Sequence, residues 1–214
     1  GIMLGVWLVA GAAVDLGQRC GRGALVNRLG RMRRLPRSDW GRVVAHAGLG
    51  ITFIGATGLM AWELEDIRVA RIGEAFQVAD ISITLDDVRR EQGPNYVATV
   101  ASMTVMRDGR EIAILKPERR AYRSGQATTT EAAIKNGVLR DIYLVIGDRQ
   151  EGGGWAVRSY IKPLANWIWL GAIVMAIGGG LSLSDRRYRI AAGAARKRPS
   201  PPAEPPAVSG VPAE

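Results

Sequence analysis

The sequence predicts a membrane protein in which transmembrane α-helices flank a small antiparallel β domain, a barrel or a sandwich. Three observations carry that reading. Residues 43–62 and 164–183 are two apolar runs without a single Asp, Glu, Lys or Arg, and each is about the length of helix that crosses ~30 Å of hydrocarbon. The segment between them repeatedly alternates apolar and polar residues, the period of half-buried strands. The positive charge of the chain, net +9, is concentrated in the short stretches beside the apolar runs.

Taken in order, residues 1–14 (GIMLGVWLVAGAAV) are a third apolar run, too short to span alone. The chain starts with Gly, and no basic stretch precedes the run, so it does not read as a signal peptide. It is expected to be a truncated transmembrane helix, which makes the chain the C-terminal piece of a larger membrane protein. Residues 15–42 hold eight Arg against Asp15 and Asp39. They read as a cytoplasmic basic loop. Residues 43–62 and 164–183 are the next two transmembrane helices, and 63–163 form the β domain on the opposite side of the membrane. Residues 184–214 carry six basic and three acidic groups and read as a cytoplasmic tail, Pro- and Ala-rich and disordered from about 196.

Basic residues are retained on the cytoplasmic side of short membrane loops, so this partition orients all three runs consistently. A net charge of +9 would otherwise suggest a nucleic-acid binder. Here the β segment 65–163 is nearly neutral, with 15 basic and 14 acidic residues. No nucleic-acid partner is expected, and the flanking arginines suit anionic membrane lipid instead. Trp40, Trp62, Trp167 and Trp169 lie at the ends of the runs, as interfacial anchors do.

Within the β domain the alternation marks strands at 76–78, 81–85, 96–106, 110–115, 142–146 and 155–161. Asp108-Gly109 between two of them is a hairpin signature. A short helix is expected at Thr130 to Asn136, between a Thr cap and Gly137. Asp86-Asp87 beside Arg89-Arg90 reads as a solvated turn. Lys116 to Tyr122 reads as a loop closed by local ion pairs, with binding of an anionic partner as the alternative.

One Cys and one His exclude a disulfide framework, a thiolate zinc site and a His-rich metal cluster. The domain at 63–163 shows no constellation for hydrolysis, and no catalytic residue is assigned. The single histidine, His46, lies three residues inside the second apolar run. Ionisable groups inside a span face a partner or a cavity. The same face continues through Gly50, Phe53 and Thr57, and Gly50 leaves space for a flat ligand beside the imidazole. Gly48, Thr52 and Gly55 form an adjacent small-residue stripe suited to close helix packing. For His46, helix-to-helix hydrogen bonding, snorkelling to the interface and axial ligation of haem iron all remain open. Met60 lies ~21 Å further along the helix and is too far to be a second ligand.

Four stretches together resemble the C-terminal region of the CcmF family of cytochrome c-type biogenesis proteins, the haem-lyase subunit of system I cytochrome c maturation. They are SDWGRVVAHAGLGITFIGATG (38–58), LKPERRAY (115–122), TEAAIKNGVLRDIYLVIG (130–147) and WAVRSYIKPLANWIWLGAIVMAIGGGLSLSDRRYR (155–189). The resemblance implies a bacterial inner-membrane, multi-pass protein with residues 63–163 periplasmic. It implies partnership with a haem chaperone, thiol-handling subunits and apocytochrome c, whose CxxCH thiols receive the haem. It also implies a b-type haem held by one His from each of two transmembrane helices, which reduces the incoming haem; His46, in VAHAG, matches the second of these ligands. The family's Trp-rich haem-handling motif, its two periplasmic histidines and its first transmembrane His have no counterpart here. The second axial ligand and those groups are expected in the missing N-terminal part of the same protein, and this piece alone is not expected to be catalytic. The alternatives are a structural docking module without haem contact and part of a haem transporter.

Overall fold

The structure, a computed structural model, describes residues 1–21, 25–123 and 128–185. The tail expected to be disordered from about 196 lies outside the described residues. Among the described residues there are four helices: α1 (Ile2–Arg19), α2 (Leu25–Met32), α3 (Arg37–Trp62) and α4 (Ala165–Leu183). Of these, α1, α3 and α4 are long and apolar enough to cross a membrane. The stretch read as a basic loop is itself partly helical. α1 continues past the apolar run 1–14 to Arg19, where Arg19 and Asp15 pair at 3.0 Å across one turn. α3 begins at Arg37, before its apolar run. Its first turn has no side-chain cap of its own. Instead the buried Asp185, just beyond α4, accepts a hydrogen bond from the Ser38 backbone N–H at 3.1 Å. A carboxylate there satisfies an orphan donor at the positive end of the helix dipole.

α3 lies between α1 and α4 and runs antiparallel to both. Its contact with α4 is built from glycine. A Cβ added at Gly41 would lie 2.5 Å from the Gly178 carbonyl oxygen, and one at Gly48 would lie 2.6 Å from the Met175 nitrogen. One at Gly55 would lie 2.8 Å from the Ile168 nitrogen. Positions 41, 48 and 55 repeat every seven residues; the first two meet Gly178 and Gly171, also seven apart, and the third meets Trp167 and Ile168. The two backbones therefore approach to the distance that only missing side chains permit, which is how helices associate where no hydrophobic effect drives them together. Thr52, in the same stripe, donates to the Gly48 carbonyl at 3.1 Å, so its hydroxyl is satisfied inside the contact.

Between α3 and α4 the described residues form ten strands, all paired antiparallel. They are β1 (Leu64–Ala70), β2 (Ala75–Val78), β3 (Ile81–Gln92), β4 (Tyr96–Arg107), β5 (Arg110–Leu115), β6 (Glu118–Tyr122), β7 (Thr128–Glu131), β8 (Ala133–Lys135), β9 (Arg140–Arg149) and β10 (Trp155–Pro163). One sheet has the order β1-β10-β9-β8. The other has the order β2-β3-β4-β6-β7, with β5 also on β4. Their inner faces share one core, in which Ile83, Leu85, Met103 and Val105 of one sheet meet Leu144, Ile146 and Val157 of the other. Each such buried side chain contributes roughly 1.5–3 kcal/mol. The domain is a sandwich, the second of the two expected architectures. The first and last strands are neighbours, Leu64 opposite Ile161, so both helix junctions leave from one end of the same sheet.

Six strands fall where alternation placed them, and Asp108 and Gly109 both have positive φ, as a tight hairpin turn requires. Three local expectations are corrected. Thr130 to Asn136 is not helical: β7 pairs with β6 and β8 with β9, so strand neighbours capture the segment. Asp86-Asp87 is not a turn but a bulge in β3, where the register shifts between Leu85 and Asp87. Asp86 accepts a hydrogen bond there from Thr104 Oγ1 at 2.8 Å. Lys116 to Tyr122 is not a loop. Only Lys116 and Pro117 lie outside strands: β6 continues along β4 the register in which Leu115 meets Met103, and the Pro117 carbonyl between them accepts from the Ala101 N–H at 3.0 Å. Local ion pairs are present in that strand, Arg120 to Glu118 at 2.9 Å, and Arg119 reaches across to Asp148 on β9 at 2.9 Å.

Asp80, in the β2–β3 turn, ties the two sheets by pairing with Arg140 and with Arg107. The Arg140 guanidinium holds the Asp80 carboxyl below its ordinary range, with a smaller contribution from Arg107. A carboxyl depressed on folding stabilises the protein above the ordinary carboxylate range, and that stability is lost as pH falls through the depressed value. The melting temperature of Asp80→Asn should therefore lie below wild type at pH 7, and the gap should close below about pH 4. Because Asp80 is 49% exposed, the gap should be no more than about 4 °C. For the helices, Gly171→Ile should destabilise the folded protein in detergent by about 1–3 kcal/mol or more, since its Cβ would meet Thr52 and the Gly48 carbonyl. Gly179→Ile, where a Cβ meets nothing within 4 Å, should leave the thermal melt unchanged.

Candidate functional site

His46 sits on the second turn of α3 after Trp40, beyond the start of the apolar run, and its side chain is exposed. Gly48 faces α4 and Gly50 faces α1, two residues and so about 200° apart around the helix. His46, on the flank of the α1 contact, looks out sideways along a face shared with Arg42 and Phe53. Phe53 is itself 37% exposed. The imidazole is fixed by its own helix: Nδ1 lies 2.9 Å from the Arg42 carbonyl oxygen. A carbonyl only accepts, so Nδ1 carries the hydrogen and Nε2 of the neutral ring keeps its lone pair. That is the arrangement of a histidine ready to ligate a metal through Nε2, with orientation set by the bond on the other nitrogen.

A hollow of about 290 Å³ opens beside the ring between α1 and α3, lined by Trp7, Leu8, Ala12, Val43 and, at its rim, Asp15 and Arg42. Its wall is mostly apolar and its rim is charged. Just below the ring, four side chains lock the end of α1 to the start of α3. Arg19 pairs with Asp15 at 3.0 Å and with Asp39 at 2.8 Å, and Arg42 pairs with Asp39 at 3.1 Å and with Asp15 at 3.6 Å. The backbone carbonyl that orients His46 therefore belongs to a residue whose side chain is itself anchored. This network was not anticipated from sequence, although Asp15 and Asp39 are the only acids in an arginine-rich stretch.

The structure corrects one expectation at this site. Gly50 does not leave space for a ligand: a Cβ there would lie 2.7 Å from the Gly5 carbonyl oxygen, so α1 occupies that notch. The open space lies to the side, over Val43 and Trp7. The stripe of Gly48, Thr52 and Gly55 packs against α4, as expected. Met175 is on that side too, against Gly48, and Met60 is exposed 14 residues beyond His46. Neither shares the space beside the imidazole. Trp40 is more than an interfacial ring, because its indole N–H donates to the Met32 carbonyl at 3.1 Å and ties α2 to α3. Among the described residues no group of three or more His, Cys, Asp or Glu side chains could hold a metal ion.

The donor set fits a haem iron rather than a bare cation. One imidazole oriented through Nδ1, with an apolar wall alongside, suits a flat hydrophobic macrocycle that needs one protein ligand per face.

Fold and site together define an antiparallel β-sandwich carried between apolar helices, with one oriented imidazole on the helix that leads into the sandwich. Residues 61–163 match the family described as the CcmF C-terminal β-sandwich. The chain is 56% identical over 193 residues to the cytochrome c-type biogenesis protein ccl1 of Rhodobacter capsulatus, covering 90% of this chain and 29% of that protein. It is 36% identical over 190 residues to the cytochrome c-type biogenesis protein CcmF of Escherichia coli, covering 88% of this chain and 28% of that protein. A solved structure of the cytochrome c haem lyase CcmF shares the fold with a TM-score of 0.61 at 17% identity, over 84% of this chain and 34% of that one. The chain belongs to the CcmF family, carrying its C-terminal β-sandwich. It spans under a third of the length of the curated relatives it matches.

Proposed function

We propose that this chain is the C-terminal part of a membrane haem-lyase subunit that helps attach haem covalently to apocytochrome c, and that His46 supplies one axial ligand to a buried b-type haem. The observation that carries the ligand assignment is the bond from His46 Nδ1–H to the Arg42 carbonyl, which leaves Nε2 of this exposed ring without a hydrogen-bond partner among the described residues. When bound, such a haem supplies the electron that reduces the haem to be transferred. This chain's own residues do the rest of the positioning. Arg42 orients the ring through its carbonyl. Trp7, Leu8 and Val43 give it an apolar wall on one side. The Asp15, Arg19, Asp39 and Arg42 network keeps α1 from sliding against α3.

The sequence contains no second histidine, so the other axial ligand comes from the remainder of the protein. In this reading α1, α3 and α4 cross the bacterial inner membrane and residues 63–163 are periplasmic. The sandwich is then the part nearest to the haem chaperone, the thiol-handling subunits and apocytochrome c. Catalysis belongs to the assembled protein, not to this part of it.

The docking-only alternative uses His46 as a bridge between helices, but its partner among the described residues is a carbonyl of its own helix. Two substitutions in the full-length protein separate the readings. His46→Ala should abolish the b-type absorbance and cytochrome c maturation. His46→Gln, which can still donate to the Arg42 carbonyl but has no imidazole lone pair, should do the same. A full b-haem spectrum in His46→Gln would remove the ligand assignment and leave a packing role.

A further inference from the structure

One loop at the membrane-facing end of the sandwich is built in a way that the ligand site does not explain. Residues 136–139, between β8 and β9, end in Val138 and Leu139, which are 77% and 65% exposed. Two large aliphatic side chains at the tip of a loop are unusual on a surface that meets only water. This tip is not loose. Its backbone is fastened to the first turn of α4 and to the residue before it. The Trp167 indole N–H donates to the Val138 carbonyl at 2.9 Å, and Asn166 Nδ2 donates to the Gly137 carbonyl at 2.9 Å. The Leu164 N–H donates to the Leu139 carbonyl at 2.8 Å. Beneath it, the buried Asp141 accepts from the Gly137 N–H at 2.8 Å and from Asn166 Nδ2 at 2.9 Å.

We infer that Val138 and Leu139 insert into the headgroup–acyl boundary of the bilayer, so that the sandwich rests on the lipid surface instead of hanging from its two helices. The placement follows from α4. Its first turn is where a spanning helix emerges, marked by Trp167 and by Trp169, which is 72% exposed. A loop bonded to that turn lies at the same depth. The groups beside the tip match a lipid surface in sign. Lys135 flanks it in the cleft that the loop helps line and has no ion-pair partner among the described residues, whereas Arg140 on the other side is already paired with Asp80. Aliphatic tips with cationic shoulders are how peripheral segments seat themselves among anionic headgroups.

The inference rests on the reading that α4 crosses a bilayer, and the experiment separates the two. Nitroxide labels are placed at Val138→Cys and Leu139→Cys in the full-length protein, in a Cys20→Ser background without other reactive thiols, in vesicles of phosphatidylethanolamine and phosphatidylglycerol. Contact with lipid is read as the ratio of spin relaxation by oxygen to that by a water-soluble nickel chelate. Trp169→Cys reports on α4 itself. Glu151→Cys lies in the turn beyond the far end of β9, about 30 Å away at 3.3 Å per residue, and reports water. The ratio at 138 and 139 should be several-fold above that at 151 and close to that at 169. A ratio equal to that at 151 would put the tip in water and overturn the inference. Protection from both reagents would put it under another protein segment and overturn it equally. If Trp169→Cys also reads water, the membrane reading fails and takes this inference with it.

Discussion

The contact on which the rest of the structure depends is the backbone-to-backbone approach of α3 and α4. Gly41 and Gly48 on one helix meet the backbone at Gly178 and Gly171 on the other, and Gly55 lets the backbone at Trp167 and Ile168 approach as closely. The two helices are therefore side by side where they enter the sandwich. β1 follows α3 and β10 precedes α4, so strands at opposite ends of the domain's sequence start as neighbours, and they pair from Leu64 and Ile161 onward. Glu63 and Lys162 close the same junction with an ion pair at 3.1 Å. A β-sandwich whose terminal strands pair has much of its loop-closure cost met by whatever holds its ends together. Here that is the helix pair.

The same arrangement decides what is left open. α3 gives one side to α4 and the opposite side to α1, through Gly50 against Gly5. The flank between them carries His46, Arg42 and Phe53, all exposed, beside the hollow that α1 walls on one side. A helix this closely held on two sides presents an imidazole with little freedom, because the ring rides on a backbone that cannot roll. The second constraint is electrostatic. Two arginines and two aspartates cross-link α1 and α3 one turn below the ring, and the carbonyl of one of those arginines holds Nδ1. Their individual contributions as part-exposed pairs are small. Their geometric effect is to fix the register of α1 against α3, which fixes the wall of the hollow beside His46.

How much of this was legible in the sequence follows from which interactions are local. The strands at 81–85, 96–106 and 142–146 announce themselves because β-branched and apolar residues alternate within each one, and Asp108-Gly109 carries its turn chemistry in two residues. β1 was not read as a strand. LEDIRVA has a charge-rich pattern, and it becomes a strand by lying against β10. β7 and β8 are three or four residues each and exist through their partners on β6 and β9. β6 was hidden by Pro117, which reads as an end of pairing but, with Lys116, interrupts it for only two positions. At the site, the sole histidine in an uncharged run was plain to see. That Gly50 is taken by α1 was not, because the occupant of a glycine notch is a property of two helices and cannot be read from one.

The junction also stores strain, and its location shows how the sandwich and the helices act as one unit. Leu164, between β10 and α4, has φ 57°, a left-handed conformation that costs a non-glycine residue about 1–3 kcal/mol. Glycine would adopt it freely, but glycine has no side chain to place. The Leu164 side chain fills the notch of Gly58 on α3, where an added Cβ would lie 2.6 Å from its Cδ1. Its N–H is bound by Leu139. One strained residue thus joins the strand before it, the helix after it, the neighbouring helix and the loop beside it. A rotation of the sandwich relative to the helix pair would have to undo all four contacts together. Leu164 is therefore where the sandwich is held to α4 and to α3, the helix that carries His46.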